Sequence, residues 1–149
     1  MSRALVLVTN GSEEIETITI CDVLRRGGVH LTLASIHDGL VKCANGTQLN
    51  PDMALKELPL TQNFDLLALP GGTAGAMEFS ENEEVQHLIK QFYSNGKLVA
   101  AICAAPIALH TAGLLEGKKF TCYPALKDKI SRSNFCNERV VQDGQIVTS

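Results

Sequence analysis

Leu98-Val99-Ala100-Ala101-Ile102-Cys103-Ala104-Ala105-Pro106-Ile107-Ala108-Leu109 sets a short apolar run directly against a helical one. The first half reads as a buried strand and the second as the helix that follows it. Cys103 therefore falls at the corner where strand becomes helix. A helix N-terminus offers unpaired backbone N–H groups and a partial positive charge, and both favour thiolate over thiol. On that reasoning Cys103 is a candidate nucleophile, expected to titrate below the ordinary ~8.5 of a free cysteine. Read from this segment alone, a small thiol that merely packs is an equal alternative.

Outward from this corner, apolar runs alternate with helical patterns. Ala4–Val8, Val29–Ala34 and Phe64–Leu69 are short, nearly continuous in apolar character and bounded by Gly, Pro or Asn. Together with the Cys103 strand they predict βαβ units and a mostly parallel sheet with helices on both faces. Right-handed crossovers then gather the strand C-terminal ends on one edge, where open α/β sheets bind their ligands. His37 to Leu60, with Asn45-Gly46 and Asn50-Pro51, reads as a small hairpin or excursion carrying a short helical turn.

Composition narrows the setting. A chain of 149 residues, 45% hydrophobic and 19% charged, suits one domain, 1–149, with a real core. A formal charge of −3 provides no basic field, so neither nucleic acid nor an anionic membrane is expected as a partner. No apolar stretch is long enough to span a bilayer and no signal-peptide pattern opens the chain, which reads as cytoplasmic. Five cysteines (Cys21, Cys43, Cys103, Cys122, Cys136) without a C-x-x-C pair argue against a disulfide framework and against zinc. His30, His37, His87 and His110 lack metal-ligand spacing, so no metal site is expected. The first strand exits through Thr9-Asn10-Gly11-Ser12, which matches neither the dinucleotide-binding nor the phosphate-loop glycine pattern.

Two more segments carry chemistry. Ser12 is the expected N-cap of the first helix, Glu13 and Glu14 suit its first turn, and Gly27-Gly28 ends it. At helical spacing Glu16 shares a stripe with Ile20, Val23 and Gly27, the face predicted to pack on the sheet. A carboxyl there is poorly solvated, so its pKa is expected to rise and leave it able to donate a hydrogen bond to a thiolate or oxyanion; a rim glutamate is the plainer alternative. Leu69-Pro70-Gly71-Gly72-Thr73 joins a strand to the next helix. Its glycines allow close approach of backbone N–H groups to a ligand, or serve only a tight turn.

Glu13, Glu14 and Glu16, then Leu69-Pro70-Gly71-Gly72, then Ala100-Ala101-Ile102-Cys103-Ala104-Ala105-Pro106, then Pro124-Ala125-Leu126-Lys127-Asp128-Lys129, together resemble the ThiJ/PfpI superfamily. The match is to the branch that holds the Parkinson-disease protein (protein deglycase) and YajL. The resemblance implies a flavodoxin-like α/β three-layer sandwich, usually a homodimer, with no metal or organic cofactor. It assigns the nucleophile to Cys103, the sulfur-bonding carboxyl to Glu16 and the anion-binding amides to Gly72 and Ala104, with Gly71 and Tyr123 as pocket-lining residues. Two positions depart from relatives. Tyr123 stands where many have histidine before the proline, and Ala104 stands where the protease and amidotransferase branches place histidine. The chain also ends at Ser149, ahead of the Gly-Pro turn and closing helix that the resemblance implies. A truncated form with an apolar sheet face left open is therefore expected.

The activity implied is that of a cofactor-free, cysteine-dependent glyoxalase or deglycase. Its substrates would be methylglyoxal, glyoxal, or their early adducts on protein and nucleotide amines and thiols. The alternative is an oxidative-stress sensor and redox-regulated chaperone that works through oxidation of Cys103 to sulfinate.

Overall fold

Strand β1 (Arg3–Val8) runs through the middle of a seven-stranded sheet, and the residues on its two sides belong to different cores. A computed structural model describes residues 1–59 and 63–149; Leu60, the last residue of the predicted excursion, lies outside them. From β1 the chain passes through α1 (Glu14–Arg26) to β2 (His30–Ser35). It then forms the hairpin β3 (Val41–Lys42) and β4 (Gln48–Leu49), a short edge strand β5 (Met53–Ala54) and a 3₁₀ turn at Leu55–Glu57. Strand β6 (Leu66–Leu69), helices α2 (Thr73–Glu81) and α3 (Glu83–Ser94), β7 (Leu98–Ala101) and α4 (Pro106–Thr111) follow. The last part holds β8 (Lys119–Phe120), a 3₁₀ turn at Pro124–Lys129, β9 (Asn134–Phe135), β10 (Val141–Asp143) and β11 (Ile146–Thr148).

The sheet order is β10-β11-β7-β6-β1-β2-β5, and every neighbouring pair is parallel except β10 with β11. This is the mostly parallel α/β sandwich that the alternating apolar runs predict. The two-residue period of a strand divides the burial. Leu5, Leu7, Leu67 and Leu69 pack with Phe79, Ile89 and Leu109 of the helices α2, α3 and α4. Val6 and Ala68 face the other way, against Cys21, Ile20 and Leu24 of α1. Each fully buried leucine contributes about 1.5–3 kcal/mol, which is why parallel strands covered on both faces read as unbroken apolar runs.

The first helix differs from expectation in three respects. Its N-cap is Glu13, whose carboxylate accepts from the Glu16 N–H at 2.8 Å; Ser12 is fully buried one residue earlier and accepts from the Thr9 N–H at 3.0 Å. The packed stripe is Thr17 and Cys21 with Ile20 and Leu24, whereas Val23 is 59% exposed. Glu14, read as a plain first-turn acid, is buried because the β3–β4 hairpin folds over it: its carboxylate accepts from the Asn45 N–H and Asn45 Nδ2 at 3.1 and 3.2 Å. The predicted hairpin and helical turn are both present, and β5 in addition joins the sheet beside β2.

On the α1 side the covering is incomplete. Over β7 and β11 the sheet face forms an apolar depression of about 510 Å³ lined by Ile20, Val23, Leu24, Ala100, Val140 and Val147. Among the described residues no helix is long and apolar enough to cross a membrane.

Candidate active site

Strand β7 ends at Ala101 and α4 begins at Pro106, so Cys103 sits in the turn between strand and helix. Its φ of 61° lies in the left-handed region, which costs a side-chain-bearing residue roughly 1–2 kcal/mol. Hydrogen bonds on both sides hold it there: its N–H donates to the Ser149 carbonyl at 2.7 Å, and its carbonyl accepts from the Tyr123 N–H at 2.7 Å. The backbone is thus clamped between β11 and the segment after β8. The thiol is only half-buried, so the sulfur remains reachable.

Three groups predicted from sequence meet at this sulfur. The Glu16 carboxyl hydrogen-bonds it from α1, and the N–H groups of Ala104 and Gly72 also reach it. Glu16 Oε2 in turn accepts from the Gly71 N–H at 2.6 Å. Gly71, expected to line the pocket, is not among the residues lining the cleft at Cys103; its N–H orients Glu16 instead. It must also be glycine: a Cβ here would stand 2.5 Å from Glu16 Oε2 and 2.7 Å from the Cys103 Cβ. At Gly72, with φ of 88°, a Cβ would lie 2.2 Å from the Gly11 carbonyl, so the loops leaving β1 and β6 can touch only through glycine.

Electrostatics couple the two side chains. Burial pushes the Glu16 carboxyl above the usual carboxylate range, as expected, against the pull of its bonds to Gly71 and Cys103. The Cys103 thiol, expected to be lowered, is instead pushed up, first by burial and then by the negative charge and hydrogen bond of Glu16. The Ala104 and Gly72 amides pull it back down. Two acids that each oppose the other's ionisation keep one proton between them over a wide pH range. The Ala104 and Gly72 amides favour the charge on sulfur, while the Gly71 amide favours it on the Glu16 carboxylate.

Tyr123 flanks the site, 51% exposed, and lines with Cys103 an open cleft of about 330 Å³. Pro124, Asn137, Glu138 and Arg139 complete the rim. These last three were not predicted, because nothing in an exposed polar stretch signals which cleft it will border. The Ser149 and Tyr123 clamps were missed likewise, since they are made by main-chain atoms. Among the described residues no group of three or more His, Cys, Asp or Glu is arranged to hold a metal ion.

The profile of the DJ-1/PfpI family matches residues 2–149. The chain belongs to this family. Protein dj-1beta of Drosophila melanogaster is 40% identical over 149 residues, covering 98% of this chain and 79% of that protein. The Parkinson disease protein 7 homolog of Danio rerio is 36% identical over 151 residues, covering 99% and 80%. Glutathione-independent glyoxalase DJR-1.2 of Caenorhabditis elegans is 34% identical over 150 residues, covering 99% and 79%. Among solved structures, Drosophila DJ-1beta superposes with a TM-score of 0.95 at 39% identity, over 100% of this chain and 82% of that one. Oxidized Toxoplasma gondii DJ-1 superposes at 0.94 with 35% identity, over 100% and 82%. The α/β sandwich is thus the DJ-1 fold, and the resemblance read from four short motifs is a family relationship along the whole chain.

Proposed function

We propose that this DJ-1/PfpI protein is a cofactor-free glyoxalase that converts α-oxoaldehydes such as methylglyoxal to 2-hydroxy acids. The observation that carries the reading is the convergence of the Glu16 carboxyl and the Gly72 and Ala104 amides on one half-buried sulfur. Kinship to a glutathione-independent glyoxalase supports it.

The chemistry follows from the geometry. The Cys103 thiolate adds to the aldehyde carbon, and the carbonyl π pair moves to oxygen, where the two amides stabilise the oxyanion. Glu16, receiving the proton the pair shares as the thiolate forms, gives it to that oxygen to complete a hemithioacetal. As carboxylate it then removes the hydrogen from the former aldehyde carbon as a proton and returns it to the neighbouring carbon, while the hydroxyl proton of the first carbon passes to the oxygen of the second. The former aldehyde carbon is oxidised to a thioester while its neighbour is reduced to an alcohol, so no external redox partner is consumed. Water hydrolyses the thioester to lactate, freeing the thiolate and returning one proton to Glu16 and one to solvent. Tyr123, in place of a histidine, leaves Glu16 as the proton-transfer group nearest the sulfur.

Glycated amines and thiols enter the same scheme as carbonyl adducts, which would make the protein a deglycase acting in the cytoplasm. A sensing role uses the same groups: a protonated Glu16 and two amides suit the oxygens of a sulfinate on Cys103. Homodimer formation is consistent with the apolar side chains of Ile15 and Ile18 on the outer face of α1, 73% and 49% exposed.

Lactate formation from methylglyoxal is the test. C103S and E16A are each expected to lose at least about a hundredfold in rate. Unchanged rates in both variants end the proposal.

A further inference from the structure

The Tyr123 N–H that clamps the Cys103 carbonyl also brings the preceding residue, Cys122, alongside the reactive cysteine. A 2.7 Å hydrogen bond between those two groups holds the α-carbons of Cys103 and Cys122 roughly 5 to 7 Å apart, the spacing that disulfides span. Both residues line the same cleft. We propose that Cys122 is the resolving thiol of Cys103, closing an intramolecular disulfide after the first oxidation of the reactive sulfur.

The reaction needs one hydroperoxide as oxidant. The Cys103 thiol takes one oxygen as the O–O bond breaks, giving a sulfenic acid and an alcohol, or water when the oxidant is hydrogen peroxide. The Cys122 sulfur then attacks the sulfenic sulfur; the S–O bond breaks, an S–S bond forms, and the hydroxyl leaves with the Cys122 proton as water. One disulfide results from two thiols and one peroxide oxygen.

Cys122 is suited to the second step and not to the first. It is only 6% exposed, and burial followed by the charge on Cys103 pushes its thiol up to about 11. Peroxide therefore meets Cys103 first. Once that sulfur is a neutral sulfenic acid, the like-charge contribution to the Cys122 shift disappears. The remaining cysteines are placed elsewhere. Cys21 packs under α1 against Val6, and Cys43 sits on the hairpin with Val8. Phe135 and Asn137 line the cleft while Cys136 between them does not.

The experiment treats the full chain with one equivalent of hydrogen peroxide, blocks free thiols by alkylation, and maps the products by non-reducing digestion and mass spectrometry. Expected in the wild type is a cross-linked pair of peptides containing Cys103 and Cys122, short of two hydrogens and separated by dithiothreitol. C122S should give no cross-link and roughly double, or more, the sulfinic acid at Cys103, since the competing exit is closed. The proposal is overturned if wild-type Cys103 stays unmodified, passes to sulfinic acid without a cross-link, or joins a different cysteine. Mapping of the wild type decides the matter even if C122S folds poorly.

Discussion

Glu16 and Cys103, one on the first helix and the other beyond the seventh strand, are joined by a hydrogen bond between thiol and carboxylate, and the Gly71 N–H fixes the carboxylate by donating to its Oε2 at 2.6 Å. Because each group opposes the other's ionisation, they behave as one acid with one proton to place.

Removing the carboxyl charge therefore acts on the thiol with a definite sign. Glu16 as carboxylate raises the Cys103 pKa, so E16Q should lower the pH midpoint of Cys103 alkylation while abolishing proton transfer in turnover. Residue-resolved iodoacetamide labelling across pH measures the first effect. A midpoint that stays in place would show that the two groups are not coupled.

Stability should respond to pH in the same variant. The folded-state pKa of Glu16 is raised, so the wild type keeps this group's full contribution below the unfolded carboxylate pKa and loses it as pH climbs through the folded value. E16Q does not titrate. Its melting temperature should match or trail the wild type near pH 4 and gain on it toward neutrality. Parallel melting curves for the two proteins across that range would refute the shift.

At Gly71 a single methyl group is enough to break the site. Its nearest neighbours would be Glu16 Oε2, the Cys103 Cβ and, at 3.0 Å, the Ile102 carbonyl, two of them attached to the reacting pair. G71A should cost about 1–3 kcal/mol of stability and most of the activity, read by denaturant unfolding and lactate formation. Full activity in a folded G71A chain would remove Gly71 from its positioning role.

The left-handed backbone at Cys103 makes a third substitution informative. With φ at 61°, glycine is free of the strain that alanine retains, so C103G should be about 1 kcal/mol more stable than C103A although it deletes more atoms. Comparison of the two chemical denaturation curves tests this. The reverse order would mean that the turn relaxes when the thiol is removed.

Local patterns carried much of this in the chain itself. Val6 and Leu7 point into different cores, yet both are apolar, so the strand was legible as a run though its two faces were not distinguishable. The stripe through Glu16 and Val23 misjudged the packed face of α1, because helical spacing fixes which residues align and not which line meets the sheet. Glu14 was opaque for a related reason: the hairpin that buries it is contributed from some thirty residues later in the chain.

The primary structure by itself determined four strands of the sheet and their alternation with helices, the family, and a cysteine at a turn, since each depends on side-chain types spaced a few positions apart. Only the tertiary structure decided that Gly71, fifty-five positions beyond Glu16, would orient its carboxyl, and that burial would push the Cys103 thiol upward. Hydrogen-bond partners and desolvation arise from groups distant in the chain, and no local spacing encodes them.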